Sequence, residues 1–440
     1  MMSWRVHAER LFTERVILLV GWLLFMVYAY PGYMSADSIW QLAQARNIEP
    51  MSDWHPPMMA LIWRFLDWFI AGPVLMLVLQ SVLFLVGLYA LLSRVMSGRA
   101  AAITAVVLLL LPGNIIVMAV IWKDSLMAGC IASAIPALLS KKRGWRITGY
   151  VLLWVATAVR YNAMAPILPL VVVLFDWDKA WPWFKRWPAA VGIWLAITIA
   201  AIVANGLITK KQDHPWPIGA ASTEVAGTIR WADDLDADAL VRETPDAPWA
   251  VTTGLHAHLE HYYRPANSYK QVFEGDGRIF DYPKTDQQRD AIGALWRKVV
   301  REHFGAFLHH RWAVFNTCLD SRVTVWRLFA DSEASARIVK SDATHSAIQE
   351  AWSDALIAIV KKKFFRPRLY FYLTLILICF TRRNRLAFAV LASGIAHELG
   401  LFALAPAVDY RYSHWMILTA LLGAILIFVE RRRMSPTKGV

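Results

Sequence analysis

The chain has 440 residues, 57% of them hydrophobic and 18% charged, with 22 Trp and a formal net charge of +13. These proportions exclude a soluble multidomain enzyme, a disordered chain and a collagen-like fibre. Several apolar runs approach the roughly 20 residues a helix needs to cross a bilayer core, so the expected class is an all-α polytopic membrane protein.

In chain order, apolar segments fall near 16–33, 72–93, 100–121, 124–140, 146–160, 162–177, 188–208, 368–380, 386–408 and 414–429. They predict about ten transmembrane helices, because open strands cannot satisfy their backbone polar groups in lipid. Arg5, Arg10 and Arg15 precede the first run, which ends at Tyr30-Pro31-Gly32-Tyr33 with no small-residue cleavage site, so it reads as a retained span. A polar block over 209–367, with amphipathic stretches such as 292–330, interrupts the series. The expected organisation is an N-terminal transmembrane module over 1–208 with about seven spans, an extracytoplasmic domain over 209–367, and a C-terminal module over 368–440 with about three. Cys130, Cys318 and Cys379 offer neither a disulfide framework nor a CxxC metal motif.

Short-loop cations set the expected sidedness. Arg94 and Arg99, then Lys141 to Arg143 with Arg146, then Lys179, Lys185 and Arg186, then Arg382, Arg383 and Arg385, and finally Arg431 to Arg433 all fall on one side if there are ten spans. That side is cytoplasmic and includes both termini, in an integral plasma (inner) membrane. Fusing 146–160 with 162–177 would put the last two basic groups outside, so the two are read as separate spans. Block 209–367 holds 21 Lys and Arg against 21 Asp and Glu, so the +13 belongs to the membrane part. The excess orients the chain and does not point to nucleic acid. Lys361 to Arg368 runs against the trend, either as a headgroup collar or as an attractor for an anionic lipid.

Five polar clusters then share the outer face: Met34 to Ser38, Asp53 to Pro57, Trp122-Lys123-Asp124, Val159 to Asn162, and Asp409 to Tyr412. Each has a structural reading. Asp37 could cap a helix over 38–46, Lys123-Asp124 could be a neighbouring ion pair, His55-Pro56-Pro57 could start a helix, and Arg160 and Arg411 could anchor to headgroups. His397-Glu398 lies within the ninth span, as a buried pair or a shell beneath the outer site. Together, two carboxylates (Asp37, Asp124) and three cations (Lys123, Arg160, Arg411) suit chemistry on a phosphate-linked substrate. A carboxylate deprotonates the acceptor, and cations stabilise the leaving phosphate.

This ordered pattern resembles the GT-C superfamily of membrane glycosyltransferases, which includes protein O-mannosyltransferases and bacterial aminoarabinose transferases. The resemblance rests on Asp37 in the first outer loop, a helix parallel to the membrane, His55-Pro56-Pro57, Asp124 after the third span, Arg160 in a later outer turn, and Arg411-Tyr412 near the C-terminal spans. It covers mainly 1–200, with further support near 397–412. It implies a sugar donor on a polyprenyl phosphate, used on the extracytoplasmic face, with a glycan or lipid of the cell envelope as acceptor. Asp37, Asp124 and His55 would be catalytic, and Lys123, Arg160 and Arg411 would bind the donor phosphate. Tyr161, Asn162, Tyr412, His397 and Glu398 would line or back the pocket. The chain departs from the mannosyltransferase pattern in having a lone Asp in the first loop and Met58 after His-Pro-Pro. No cofactor is demanded, although Asp37, Asp124 and His55 could ligate a divalent cation. Two rival readings are an O-antigen polymerase or ligase type, using His309-His310-Arg311, and a proton-linked transporter, using His397-Glu398 and the prolines at 112, 136, 166 and 169.

Overall fold

A computed structural model describes residues 2–175, 181–266, 269–325, 345–405 and 407–434. Lys179 and the last positions of the amphipathic stretch 292–330 lie outside the described residues. The helices, in chain order, are α1 (Met2–Ala29), α2 (Ala36–Ala45), α3 (Met58–Asp67), α4 (Val74–Leu92), α5 (Gly98–Leu110), α6 (Pro112–Met118), α7 (Lys123–Leu138), α8 (Arg143–Val159), α9 (Met164–Leu174) and α10 (Trp183–Ile208). They continue as α11 (Ser222–Trp231), α12 (Ala237–Glu243), α13 (Leu255–Tyr262), α14 (Lys270–Phe273), α15 (Asp286–Glu302), α16 (Phe304–Leu319), α17 (Ala347–Val360), α18 (Pro367–Ile378), α19 (Arg385–Leu404) and α20 (His414–Met434). Among the described residues there is no strand, only isolated bridges such as Tyr33 with Val120.

Four helical segments among the described residues are long and apolar enough to cross a membrane: Val74–Leu92, Trp183–Ile208, Arg385–Leu404 and Tyr410–Arg433. A fifth counts if α5 and α6 form one span, but they meet at 72°. Pro112 at the first position of α6 explains the bend, since proline donates no amide hydrogen bond and cannot continue the preceding helix. The apolar segment over 100–121 is therefore bent at Pro112, one of the prolines noted from the sequence.

The chain divides into two compact units. Unit 1 comprises Met1–Lys211, Arg322–Glu398 and Ser413–Val440, and unit 2 comprises Gln212–Ser321 and Leu399–Tyr412. The described residues of 322–367, a stretch assigned from sequence to the polar domain, thus group with unit 1, while the segment carrying Arg411 groups with unit 2.

In unit 1, α4 and α7 approach closely because the crossing point lacks a side chain. A Cβ on Gly87 would stand 2.5 Å from the Ser133 amide nitrogen, the small-residue packing that lets apolar helices associate in lipid. Unit 2 has its own core, in which Val225 and Ile229 of α11 pack with Leu255 and Leu259 of α13 and with Leu295 and Val299 of α15.

Candidate functional site

The site in unit 1 begins with two stretches of irregular backbone held side by side. Tyr33 N–H donates to Ala119 O and Ile121 N–H donates to Tyr33 O, both at 2.9 Å. Side chains reinforce this bridge: Trp122 Nε1 donates to Ser35 Oγ at 2.8 Å, and Ser38 Oγ to Ile121 O at 2.8 Å. Gln80 on α4 supports the same segment by donating to Met118 O and Val120 O, each at 2.8 Å. The staple sets the start of α2, which carries Asp37, against the start of α7, which carries Lys123 and Asp124. Ser35 is the N-cap of α2, so Asp37 is not the cap but a first-turn residue, where a carboxylate favours the helix dipole.

Two arginines fold the following hairpin. Arg64 on α3 donates to the carbonyls of Ala45 (2.7 Å) and Gln44 (2.9 Å), satisfying the orphan C-terminal acceptors of α2. Arg46 grips Asp67 with two bonds of 2.8 Å, the bidentate geometry that a lysine could not supply. The loop between these helices carries His55. Met58 N–H donates to Asn205 Oδ1 at 3.0 Å, and Asn205 Nδ2 donates to Ala158 O at 2.9 Å. One side chain of α10 therefore joins the His55 loop to the end of α8, where Arg160 sits. Asn205 also bonds the Tyr161 hydroxyl, and Asp53 lies within electrostatic reach of that ring.

Two linked arrays result. In the first, Lys123 Nζ lies 2.7 Å from His55 Nδ1, and His55 Nε2 lies 3.6 Å from Asp37 Oδ1. An ammonium can only donate, so His55 Nδ1 is the acceptor and the ring proton sits on Nε2, facing Asp37. At 3.6 Å that contact is too long for a hydrogen bond. In the second array, Arg160 Nε pairs with Asp124 Oδ1 at 2.9 Å. Asp124 is 1% exposed and Arg160 6%, whereas the Asp37 side chain is 32% exposed. Lys123 and Asp124, neighbours in sequence, each reach a distant residue, Lys123 meeting His55 and Asp124 meeting Arg160.

His397 and Glu398 of α19 are fully enclosed, with Glu398 beside Ser413. His414, which the sequence reading passed over, lies within electrostatic reach of both Asp124 and His397, and its ring stacks on Phe84. Its signal was the polar run Tyr412-Ser413-His414 entering an apolar segment. Asn162 follows Tyr161 in a short turn.

Arg411 and Tyr412 belong to unit 2. There the Arg411 Nε lies 3.1 Å from Asp409 Oδ2 and its guanidinium lies 5.4 Å from the Tyr412 ring centroid. Unit 2 also buries Arg311 at 3% exposure, where it pairs with Glu224 at 3.4 Å and donates to Phe402 O (2.9 Å), Leu401 O (3.1 Å) and Ala405 O (3.1 Å). Arg311 thus serves the C-terminal carbonyls of α19. His310 Nδ1 meets the Tyr263 hydroxyl at 2.7 Å. Burial, and secondarily Arg311, pushes the His310 imidazole down to about 3. Burial raises the Glu224 carboxyl, opposed by Arg311 and by the Trp296 indole.

No group of three or more His, Cys, Asp or Glu side chains among the described residues is placed to hold a metal ion. The expected donor set fits one poorly: Lys123 holds one nitrogen of His55, and Arg160 neutralises Asp124. Compared with known proteins, the chain matches no family profile, no curated protein and no solved structure.

Proposed function

We propose that the chain is an integral-membrane glycosyltransferase of the GT-C kind, with about ten spans, cytoplasmic termini and a reaction chamber on the extracytoplasmic face of the plasma membrane. It moves a sugar from a polyprenyl-phosphate donor to a glycan or lipid of the cell envelope. The observation that carries this reading is the half-exposed Asp37 backed by His55 and Lys123, one residue along the chain from the buried Asp124–Arg160 pair.

Asp37 accepts the proton of the acceptor hydroxyl as that oxygen bonds to the anomeric carbon. The bond from this carbon to the donor phosphate oxygen breaks, the phosphate leaves with the electron pair, and the anomeric configuration inverts. The Nε2–H of His55, held in its tautomer by Lys123, faces the Asp37 carboxylate and orients it. Asp124 acts as a positioning residue that holds Arg160 toward the departing phosphate, where a fixed cation stabilises developing charge without reorganising.

The test is transfer by the purified full-length protein in proteoliposomes, supplied with a panel of polyprenyl-phosphate-linked sugars and envelope glycans. Release of free polyprenyl phosphate in step with glycan labelling is the result expected. Intact donor across the panel, with protein that remains monodisperse, contradicts the reading.

A further inference from the structure

Unit 2 contains a cleft of about 470 Å³ between the end of α11, the end of α13 and one side of α16, within the range of about 300–1,000 Å³ usual for small-molecule sites. Its walls combine aromatic faces with fixed charge. Trp231 stacks on His309 with centroids 4.1 Å apart and planes 13° from parallel, and the Arg230 guanidinium covers Trp231 at 4.9 Å. Arg230 is held by Glu260 at 3.3 Å. Arg264 is oriented by a 2.7 Å bond from Nη1 to the Tyr263 carbonyl. Across the cleft, Trp312 is 58% exposed.

A second feature points to a polar occupant. Arg230, Glu260 and Arg264 together line the cleft, ionic groups for which an apolar filling would cost free energy. Trp312 continues an exposed stripe with Phe304 and Leu308, spaced four residues apart on α16. A bilayer would cover such a stripe, but hydrocarbon offers no partner to the charged groups of the cleft. A sugar oxygen does.

We propose that this cleft binds an acidic oligosaccharide, a glycan carrying carboxylate or phosphate groups. The apolar face of a pyranose lies on Trp312, a ring oxygen or hydroxyl accepts from the Arg230 guanidinium, and the anionic group meets Arg264. Identifying the bound glycan as the acceptor rests on the transferase reading, whereas the binding itself does not.

The experiment is calorimetric titration of the full-length protein in nanodiscs, without donor lipid, using trigalacturonate, its methyl ester and maltotriose. Trigalacturonate binds most tightly. Trp312→Ala weakens it at least tenfold while Trp312→Phe, which keeps a ring, loses less, and Arg264→Gln brings the acid down to the level of its ester. Asp37→Asn leaves all three titrations unchanged, which separates a failure of this site from a failure of transfer. Absent binding of trigalacturonate, equal binding of all three sugars, or an unchanged affinity in Trp312→Ala overturns the proposal. So does loss of brominated-lipid quenching in Trp312→Phe relative to wild type, which would put the bilayer on the stripe. Phosphorylated maltotriose, tested alongside, distinguishes phosphate from carboxylate as the group read by Arg264.

Discussion

The two units use buried charge in opposite ways. In unit 2, Arg311 is closed in by Glu224 and three carbonyls, so its charge is consumed in holding the C-terminal end of α19. In unit 1, the Lys123–His55–Asp37 array runs from a held ammonium to a carboxylate that still reaches water. A charge network closed off from solvent stabilises a fold, and one that includes a carboxylate in reach of water can hold that group ready for a reaction. This contrast separates the cations that the rival polymerase reading would recruit from those that the proposed transfer would use.

The contrast breaks most readily at its open end. Asp37→Asn keeps the shape of the side chain but removes the base, and transfer should fall by about 10²–10⁴-fold with no change in melting temperature, measured by donor turnover beside a thermal scan. At the closed end the order reverses. Arg311→Met leaves Glu224 buried without its cation and should cost about 3–5 kcal/mol, read as a lower midpoint of thermal aggregation. Adding Glu224→Gln should recover much of that loss. If Arg311→Met instead abolished turnover in protein that melts like wild type, the contrast would be wrong.

Smaller effects sharpen it. Gly227 on α11 lies directly against the His310 ring, leaving no room for a Cβ, so Gly227→Ala should destabilise unit 2 by about 1–3 kcal/mol, visible as faster limited proteolysis between 212 and 321. The smallest effect is in pH. Folded His310 resists protonation down to about 3, against an ordinary 6.5, so across that window the unfolded chain binds more protons and stability falls as pH drops from about 6.5 toward 3. Tyr263 and Arg311 face this ring, and Glu224, which pairs with Arg311 and whose carboxyl is raised by burial, contributes with the opposite sign, its stabilisation lost as pH rises. His310→Asn removes the imidazole part alone, and its melting temperature should vary less than wild type between those pH values.

The positions of the polar groups were legible in the sequence because they fall in short polar clusters between apolar runs: Asp37, His55, Lys123, Asp124 and Arg160 all stand out in this way. Their pairings were not. Adjacent residues on a helix point about 100° apart and do not face each other, which is why Lys123 reaches His55 and Asp124 reaches Arg160. Hydropathy located the run over 100–121, and Pro112 marked its interruption, but the 72° angle at that place has no signature in composition. The roles of Asn205 and Gln80 lie in bonds to the backbone of distant segments, and a side chain–backbone bond leaves no pattern along the chain. Arg311 showed the same weakness: its charge was visible, and the three carbonyls that occupy it were not.

The central claim is that the open array in unit 1 faces the phosphate of a lipid-linked donor. Photocrosslinking with a benzophenone-bearing polyprenyl phosphate, followed by peptide mapping of the full-length protein, tests it most directly. Adducts should concentrate on the peptides containing Asp37 and Arg160 and disappear when unlabelled donor is added. Competable adducts confined to other segments, with these two peptides unmodified, would contradict it.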